Sequence, residues 1–319
     1  MTNEKHTATA PISLPAVTLA CVDTVNPTLA IKAMQRCMVQ INFDRALLFT
    51  AQPVSVPEGI EVALISDVHD IQSYSRFIIK GLHAYVETTH VLLMQWDGFV
   101  IHPEAWTPLF LEYDYIGATW PATHQQAAQV GNGGFSLRSK KLLRALQDIE
   151  FISFHPEDEH IARTHRAPLE AMGIRFAPPE VGDLFAYEFK SPEMPTFGFH
   201  GFSNFPDFMT EQELAGFIEE MPPGLSFNNY FLEFARKVYR PTKQTACPHL
   251  LRQKLAGQLA RDIREASAER LASPQLKHLI SGYCRMRLGS QARLMARARY
   301  RAAPTLGNLR LLAKALFVR

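Results

Sequence analysis

The chain has 319 residues, of which 47% are hydrophobic, and its 33 basic and 31 acidic side chains give a formal net charge of +2. This composition excludes a disordered protein, and the length is sufficient to bury one large core or two smaller ones. No stretch reaches the roughly eighteen apolar residues of a membrane span, and residues 1–11 carry no secretory pattern. The four scattered cysteines indicate reduced thiols in a cytoplasm rather than a zinc site.

Short apolar runs alternate with helical patterns through the first hundred residues. The predicted strands cover residues 14–21, 45–50, 62–65 and 90–95, and the predicted helices cover residues 29–38 and 73–85. This alternation predicts an α/β fold with a mostly parallel sheet. In such sheets ligands bind outside the carboxyl ends of the strands, where the strand order reverses. Asp23, Asp67 and the turn at residues 95–98 follow predicted strands, so we expect them at that edge.

The chain changes character near residue 209. Thr210 and Glu213 form the pattern of a helix capping box, and the residues that follow predict helices interrupted at prolines. We therefore expect a flexible N-terminus over residues 1–12, an α/β domain over 13–208 and a helical region over 209–319. The helical region is strongly basic, with 19 Lys and Arg against 3 acidic residues from Arg236 onward.

Three carboxylates, those of Asp97, Glu157 and Asp158, are candidates for metal binding or acid–base catalysis. Asp97 follows a predicted strand, and a carboxylate there can hold Mg²⁺ or Mn²⁺ and so neutralise a diphosphate. The alternative is a turn residue that bonds its own loop. Glu157 and Asp158 begin a predicted helix, where a carboxylate can take a proton from a hydroxyl. The alternative is that both only stabilise the positive end of that helix.

Residues 131–139 read Gly-Asn-Gly-Gly-Phe-Ser-Leu-Arg-Ser, a glycine-rich turn. Glycines let a backbone turn sharply and approach a ligand, so Asn132, Gly133 and Gly134 are predicted to line a sugar or phosphate site. His200 is predicted to be a metal ligand or a diphosphate contact, although a lone histidine is more often packed in a core. The candidate phosphate contacts are Arg76, Lys80 and Arg138, for which the alternative is a solvated charge on a helix. The candidate stacking residues are Trp96, Trp106 and Trp120, although core packing is the more common role for at least two of them.

Taken in order, these motifs resemble those of the GT-A glycosyltransferases, in particular the inverting types. The shared order is an Asp-bearing strand end, a Gly-Gly turn, a Glu-Asp pair and a late Phe-His. More closely, Gln-Trp-Asp-Gly-Phe at 95–99, Tyr-Asp-Tyr-Ile-Gly-Ala at 113–118, the turn at 131–138 and Pro-Glu-Asp at 156–158 resemble a bacterial family of uncharacterised domains that is grouped with those transferases. The resemblance covers residues 15–205.

The resemblance implies a GT-A-like sheet with a helical C-terminal extension, in which residues 13–208 form a nucleotide-sugar-binding catalytic domain. The implied reaction moves a sugar from a nucleotide-diphosphosugar, with uridine diphosphate favoured, to a hydroxyl of a glycan or lipid-linked acceptor, with inversion, in surface polysaccharide or glycoconjugate synthesis. The implied donor site comprises Asp23, Arg76, Lys80, Gln95, Trp96, Asp97, Gly98, Asn132, Gly133 and Gly134.

The resemblance also implies roles for the ionisable residues. Asp158, with Glu157 beside it, is the expected catalytic base, and Asp97 and His200 are the expected ligands of Mn²⁺ or Mg²⁺. Gln95 stands where a full DxD motif has its first carboxylate. Because a neutral amide is a weaker cation ligand, this departure predicts low metal affinity or the replacement of the metal by basic side chains.

Two other functions are compatible with the sequence: a nucleotidyltransferase, and a catalytically degenerate sugar- or nucleotide-binding or scaffold protein. The basic C-terminal region predicts contact with an anionic membrane surface, at the inner face of the cytoplasmic membrane for a cytoplasmic protein. The alternative is a helix pair packed on the acidic domain with a solvated basic face. Nucleic-acid binding is disfavoured, because no recognisable reading motif is present.

Overall fold

The computed structural model describes residues 11–123, 127–189, 194–239 and 248–318. The chain divides into two compact units, with the division between Gly201 and Phe202. Almost all of the predicted flexible N-terminus, residues 1–12, lies outside the described residues, and so does Cys247. The other three cysteines, Cys21, Cys37 and Cys284, are buried free thiols.

The first unit alternates strands and helices along the chain. It begins with β1 (Ile12–Val22), α1 (Pro27–Met38), β2 (Ile41–Thr50), β3 (Glu61–Leu64) and α2 (Ile71–Arg76), which continues as a π-helical turn (Phe77–Gly81) and a 3₁₀ turn (Leu82–Ala84). Next come β4 (His90–Met94), β5 (Gly98–Val100), β6 (Tyr115–Gly117), β7 (Thr119–Trp120), β8 (Gln129–Val130) and β9 (Phe135–Ser139). The last elements are α3 (Lys140–Ala145), α4 (Glu157–Glu159), a π-helical turn (His160–Thr164), α5 (Arg166–Ala171), α6 (Pro179–Phe185), β10 (Ala186–Tyr187) and β11 (Gly198–His200).

Six of these strands form the main sheet in the order β3-β2-β1-β4-β9-β6. The strands β3, β2, β1 and β4 are mutually parallel, whereas β9 runs antiparallel to both of its neighbours, β4 and β6. A second sheet has the order β10-β11-β5, and β7 pairs with β8. The predicted fold class, a mostly parallel α/β sheet flanked by helices with a helical C-terminal part, is confirmed.

The main sheet is held by apolar burial on both faces. All five residues of β4 are buried, as expected for a central strand with cover on both faces of the sheet. On one face, Phe49, Val91 and Leu93 pack with Ile78 and Leu82 from the helix that follows β3. That helix is capped at its N-terminus by Asp70, whose side chain accepts from the Ser73 backbone N–H in a capping box.

The second unit is helical. Its helices are α7 (Phe205–Phe208), α8 (Glu211–Glu220), α9 (Asn229–Tyr239), α10 (Pro248–Glu265), α11 (Ala268–Ala272), α12 (Pro274–Arg285), α13 (Gly289–Ala302) and α14 (Leu306–Leu316). The predicted capping box is confirmed, because Thr210 Oγ1 accepts from Glu213 N and Glu213 Oε2 accepts from Thr210 N. Within the described ranges, no helix is both long enough and apolar enough to cross a bilayer.

Candidate functional site

The strand order of the main sheet reverses between β1 and β4. From β1 the chain steps to β2 and β3 on one side, whereas β4 lies on the other side of β1. A crevice forms at such a point, outside the carboxyl ends of the strands. Asp23 follows β1 directly, and the Gln95–Gly98 turn follows β4. The prediction that these residues lie at carboxyl ends of strands is therefore confirmed, and Asp67 follows β3 in the same way.

The register of the second sheet brings His200 to this edge. β11 pairs antiparallel with β5, and His200 stands opposite Gly98. The Gly201 backbone N–H also donates to the Asp97 carbonyl at 2.8 Å. Residues 97 and 200 are thus joined by strand pairing, although about a hundred residues separate them in sequence.

His200 is surrounded by polar partners on both ring nitrogens. Its Nε2 lies 3.3 Å from Asp97 Oδ1 and 3.2 Å from Gln95 Oε1. Its Nδ1 lies 3.3 Å from Glu188 Oε1 and 3.0 Å from the Asn132 amide nitrogen. The histidine side chain is 14% exposed, so the ring is largely buried but one edge reaches the surface. We call Gln95, Asp97, Glu188 and His200 the histidine cluster.

The cluster holds its histidine in the charged form. Burial alone disfavours an imidazolium, but the charges of Asp97 and Glu188 more than offset that cost and raise the pKa of His200 to about 10. Gln95 fits this state, because its carbonyl oxygen faces Nε2 while its amide nitrogen donates to Tyr74 Oη at 2.9 Å. At neutral pH both ring nitrogens therefore carry protons, and they donate towards Asp97 and Gln95 on one side and towards Glu188 on the other. The Asn132 amide nitrogen, itself a donor, is then a close neighbour of Nδ1 and not its acceptor.

The glycine turn packs against the protein itself. A Cβ on Gly134 would overlap the His200 ring, and a Cβ on Gly133 would overlap Glu157 Oε1. The Gly133 N–H donates to Asp158 Oδ2 at 3.1 Å, and the Gly134 N–H donates to Asn132 Oδ1 at 3.1 Å. The space that the missing side chains create is thus filled by residues of this chain. Binding of a donor by Asn132, Gly133 and Gly134 stays a prediction.

Glu157 and Arg138 form a buried ion pair beneath that turn. Arg138 Nη2 lies 3.0 Å from Glu157 Oε1, and the arginine side chain is fully buried. Arg138 also donates to Ser136 Oγ at 3.0 Å and stacks over the Tyr115 ring. Contact of Arg138 with a phosphate stays a prediction. The pair fixes the start of α4 against the glycine turn.

Asp158 differs from its neighbour because it is only half-buried. Oδ2 accepts from Gly133 N, and Oδ1 accepts from Glu159 N at 2.9 Å. Burial, and then the charge of Glu157, raise the pKa of Asp158 to about 6, against the backbone hydrogen bonds and the charge of Arg138. A carboxylate with such a pKa, held in place by the backbone and open to solvent, has the properties of a general base near neutral pH.

Asp23 lies at the same edge of the sheet, directly after β1. Its Oδ1 accepts from the backbone N–H groups of Val25 at 2.9 Å and Asn26 at 2.6 Å, so it shapes the turn that leads into α1. Burial raises the pKa of Asp23, and the charge of Asp97 adds to that rise against the two backbone bonds. Trp96, between Gln95 and Asp97, is half-buried at the same edge.

Lys80 and Arg76, both predicted to contact the nucleotide-sugar, make other contacts in this structure. The Lys80 ammonium donates to the carbonyls of Leu146 at 2.6 Å, Gln147 at 3.0 Å and Ile149 at 2.8 Å, at the end of α3. The Arg76 guanidinium lies over the Phe154 ring, 4.6 Å from its centroid. All three ammonium N–H groups of Lys80 therefore donate to backbone carbonyls. Binding of the nucleotide-sugar by Lys80 and by Arg76 stays a prediction.

Asp97 and His200, the side chains predicted to hold a divalent cation, lie together at this edge, with His200 Nε2 facing Asp97 and Gln95. A metal ion bound there must displace the proton of that ring nitrogen, and binding of Mn²⁺ or Mg²⁺ stays a prediction. In the ranges that the structure describes, no group of three His, Cys, Asp or Glu side chains is placed to hold a metal ion.

Sequence reasoning missed Glu188 and Tyr74. Glu188 follows β10, before the Phe-His motif but outside it, and Tyr74 lies on the buried side of α2. The sequence feature that could have pointed to Tyr74 as a site residue is its position in the predicted helix between β3 and β4. Nothing in the sequence around Glu188 distinguishes it from a surface carboxylate.

The model of a family described as "Protein of unknown function (DUF5672)" matches residues 60–200, less than half of the chain. No curated protein matches the sequence. Among solved structures, TarS residues 1–349 from S. aureus has 11% identity and a TM-score of 0.36, over 93% of this chain and 90% of that one. A structure of the same TarS segment in complex with UDP-GlcNAc gives the same figures.

Proposed function

We propose that this protein is a glycosyltransferase that transfers a sugar from a nucleotide-diphosphosugar, with uridine diphosphate favoured, to a hydroxyl of a glycan or lipid-linked acceptor. The observation that carries the proposal is the placement of Asp158, a half-buried carboxylate with a pKa of about 6, beside the glycine turn. The turn also contacts His200, which lies beside Asp97 at the carboxyl end of β4. The motif resemblance at residues 95–99, 131–138 and 156–158 supports the same class of reaction.

Asp158 is the proposed general base. In a single displacement, the acceptor oxygen forms a bond to the anomeric carbon while its proton passes to Asp158. The bond between that carbon and the diphosphate oxygen breaks, its electron pair leaves with the nucleoside diphosphate, and the carbon inverts. Because the pKa of Asp158 is about 6, the carboxylate is mostly ionised at neutral pH and can accept the proton.

His200 is the proposed contact for the leaving group. Its Nε2 proton is shared between Asp97 and Gln95, and a diphosphate oxygen competes with them for the same N–H. Charge that develops on a leaving oxygen is stabilised best by a donor that is already in position. Asp97 and Glu188 supply that preorganisation, because they hold the ring and keep it protonated. No step of this mechanism passes through a metal ion.

Replacement of Asp158 by Asn tests the proposal. The amide has nearly the same shape but cannot take the proton, so turnover should fall by about 10² or more while donor binding persists. Glu159→Gln is the matched control, because Glu159 is the next residue and is exposed, with an ion pair to Arg163. Unchanged turnover in Asp158→Asn removes Asp158 from the role of base.

A catalytically degenerate sugar-binding protein is the second candidate, because the Gln95 amide is bonded between Tyr74 and His200 where a metal-binding carboxylate is expected. The three candidate functions differ in the product that is released. A glycosyltransferase releases a nucleoside diphosphate from its donor, a nucleotidyltransferase releases pyrophosphate, and a binding protein releases neither.

A further inference from the structure

The last described helix, α14, exposes an apolar face. Leu306 is 78% exposed, Leu309 45%, Leu316 49% and Phe317 88%. These positions follow one another at spacings of three, seven and one, so they lie on one side of a helix with 3.6 residues per turn. We call these four residues the outer face of α14. A cluster of large apolar side chains exposed on one helix face marks an interaction surface.

The orientation of α14 is fixed by its opposite side. Asn308, Leu311 and Ala315 are buried, and they lie on the side away from the outer face. Asn308 Oδ1 accepts from the Nε of buried Arg299 on α13 at 2.9 Å, and Asn308 Nδ2 donates to the Ala303 carbonyl at 2.7 Å. The helix is therefore anchored through a specific polar contact, and the exposure of its outer face follows from that anchoring.

The charged side chains of α13 and α14 are all positive. Arg310 and Lys314, four residues apart on α14, are both exposed, as are Arg297 and Arg301 on the adjacent α13. From Arg270 to Arg319 the sequence contains eleven Lys and Arg and no Asp or Glu. An apolar helix face with cationic flanks matches the interface of an anionic bilayer, where lipid phosphates meet acyl chains.

We propose that the outer face of α14 docks on the surface of an anionic lipid bilayer. Its apolar side chains enter the boundary between headgroups and acyl chains, and Arg310 and Lys314 pair with lipid phosphates. The helix lies in the plane of the membrane and does not span it. This inference concerns only the second unit and does not depend on the activity of the first.

Vesicle flotation of the full chain tests the proposal, with phosphatidylcholine vesicles that contain or lack phosphatidylglycerol. One variant removes apolar contacts, Leu309→Ser with Leu316→Ser and Phe317→Ser, and a second removes charge, Arg310→Gln with Lys314→Gln. The matched control, Leu109→Ser with Arg144→Gln, changes an exposed leucine and an exposed arginine of the first unit. Because all these side chains are at least partly exposed, folding should persist, and an unchanged melting temperature verifies it.

We expect the wild type and the control to float with anionic vesicles only, and each α14 variant to partition at least about tenfold less. Binding should weaken as salt rises, because the cationic contribution is screened. A wild type that stays out of the vesicle fraction overturns the proposal, and so does an apolar variant that binds like the wild type. A dimer that becomes a monomer in the apolar variant assigns the face to a second copy of this chain and overturns it too.

Discussion

His200 Nε2 lies 3.3 Å from Asp97 Oδ1, at the carboxyl end of β4, because the register of β11 on β5 places residue 200 opposite residue 98. Glu188 meets the other ring nitrogen, so two carboxylates hold one imidazolium. The same ring fills the space beside Gly134, and Glu157 fills the space beside Gly133. The glycine turn, the Glu-Asp pair and the late histidine are thus parts of one packed unit.

Replacement of His200 by Gln should destabilise the protein by about 3–5 kcal/mol, because Asp97 and Glu188 lose the cation that balances them in a largely buried site. Urea unfolding measures this loss. His102→Gln is the control, since its ion pair with Glu104 is exposed and should contribute under about 1 kcal/mol. Equal stability of the two variants would mean that the cluster is not a buried ion network.

Stability should fall as pH rises from about 6.5 to about 10. The folded protein raises the pKa of His200 to about 10, against about 6.5 for an unfolded histidine. Between these two pH values the native state keeps a proton on His200 that the unfolded state has lost. The stabilisation that His200 contributes is therefore complete below the unfolded pKa and is lost as the pH rises through the folded pKa, a total of roughly 5 kcal/mol. His200→Gln should remove this slope, and a wild-type slope that persists in the variant would contradict the assignment.

Glu157→Gln should cost about 3–5 kcal/mol, because it leaves the fully buried Arg138 without its counter-charge. Replacement of both partners, with Arg138→Met and Glu157→Leu, should cost less than the single variant, since no uncompensated charge remains. Denaturant unfolding of the three proteins makes the comparison. A double variant at least as unstable as Glu157→Gln would contradict this account of the pair.

Donor binding at pH 7 should not depend on a divalent cation. The His200 proton occupies the position between Asp97 and Gln95, so a metal must displace it at a cost set by the pKa of about 10. The donor-induced rise in melting temperature should therefore be the same with Mn²⁺ and with a chelator. A rise that disappears with the chelator would return Asp97 and His200 to the role of metal ligands.

Turnover should increase with pH through about 6 and then level off, because Asp158 must lose its proton before it can act as a base. The dependence of kcat on pH measures this step. In Asp158→Asn the residual rate should no longer change across that range. A wild-type profile that is flat between pH 5 and pH 7 would exclude Asp158 as the titrating base.

The fold followed from local signals that the sequence carries directly. Buried strands such as β1 and β4 are apolar runs, and the helices start at capping residues such as Asn26 and Thr210. Because parallel strands end at one edge, the placement of Asp23 and Asp97 at that edge was predictable as well.

The internal arrangement of the site was less predictable, because it depends on long-range pairing. The contact of Glu188 with His200 results from the β10-β11-β5 register, which no single segment encodes. The sequence predicts a phosphate contact for Lys80. In the structure its ammonium donates to three backbone carbonyls at the end of α3, which only the tertiary fold brings near it. Burial separates Glu157 from Asp158, which look equivalent in the sequence.

The most direct test of the central claim measures donor binding and donor cleavage on the same protein samples. The wild type and Asp158→Asn are each mixed with a panel of nucleotide-sugars and acceptor glycans, and melting temperature and nucleoside diphosphate release are recorded. The account predicts that one donor raises both melting temperatures by a similar amount, because a ligand of the native state stabilises it, and that only the wild type releases nucleoside diphosphate. No shift with any donor, or equal release by both proteins, would contradict it.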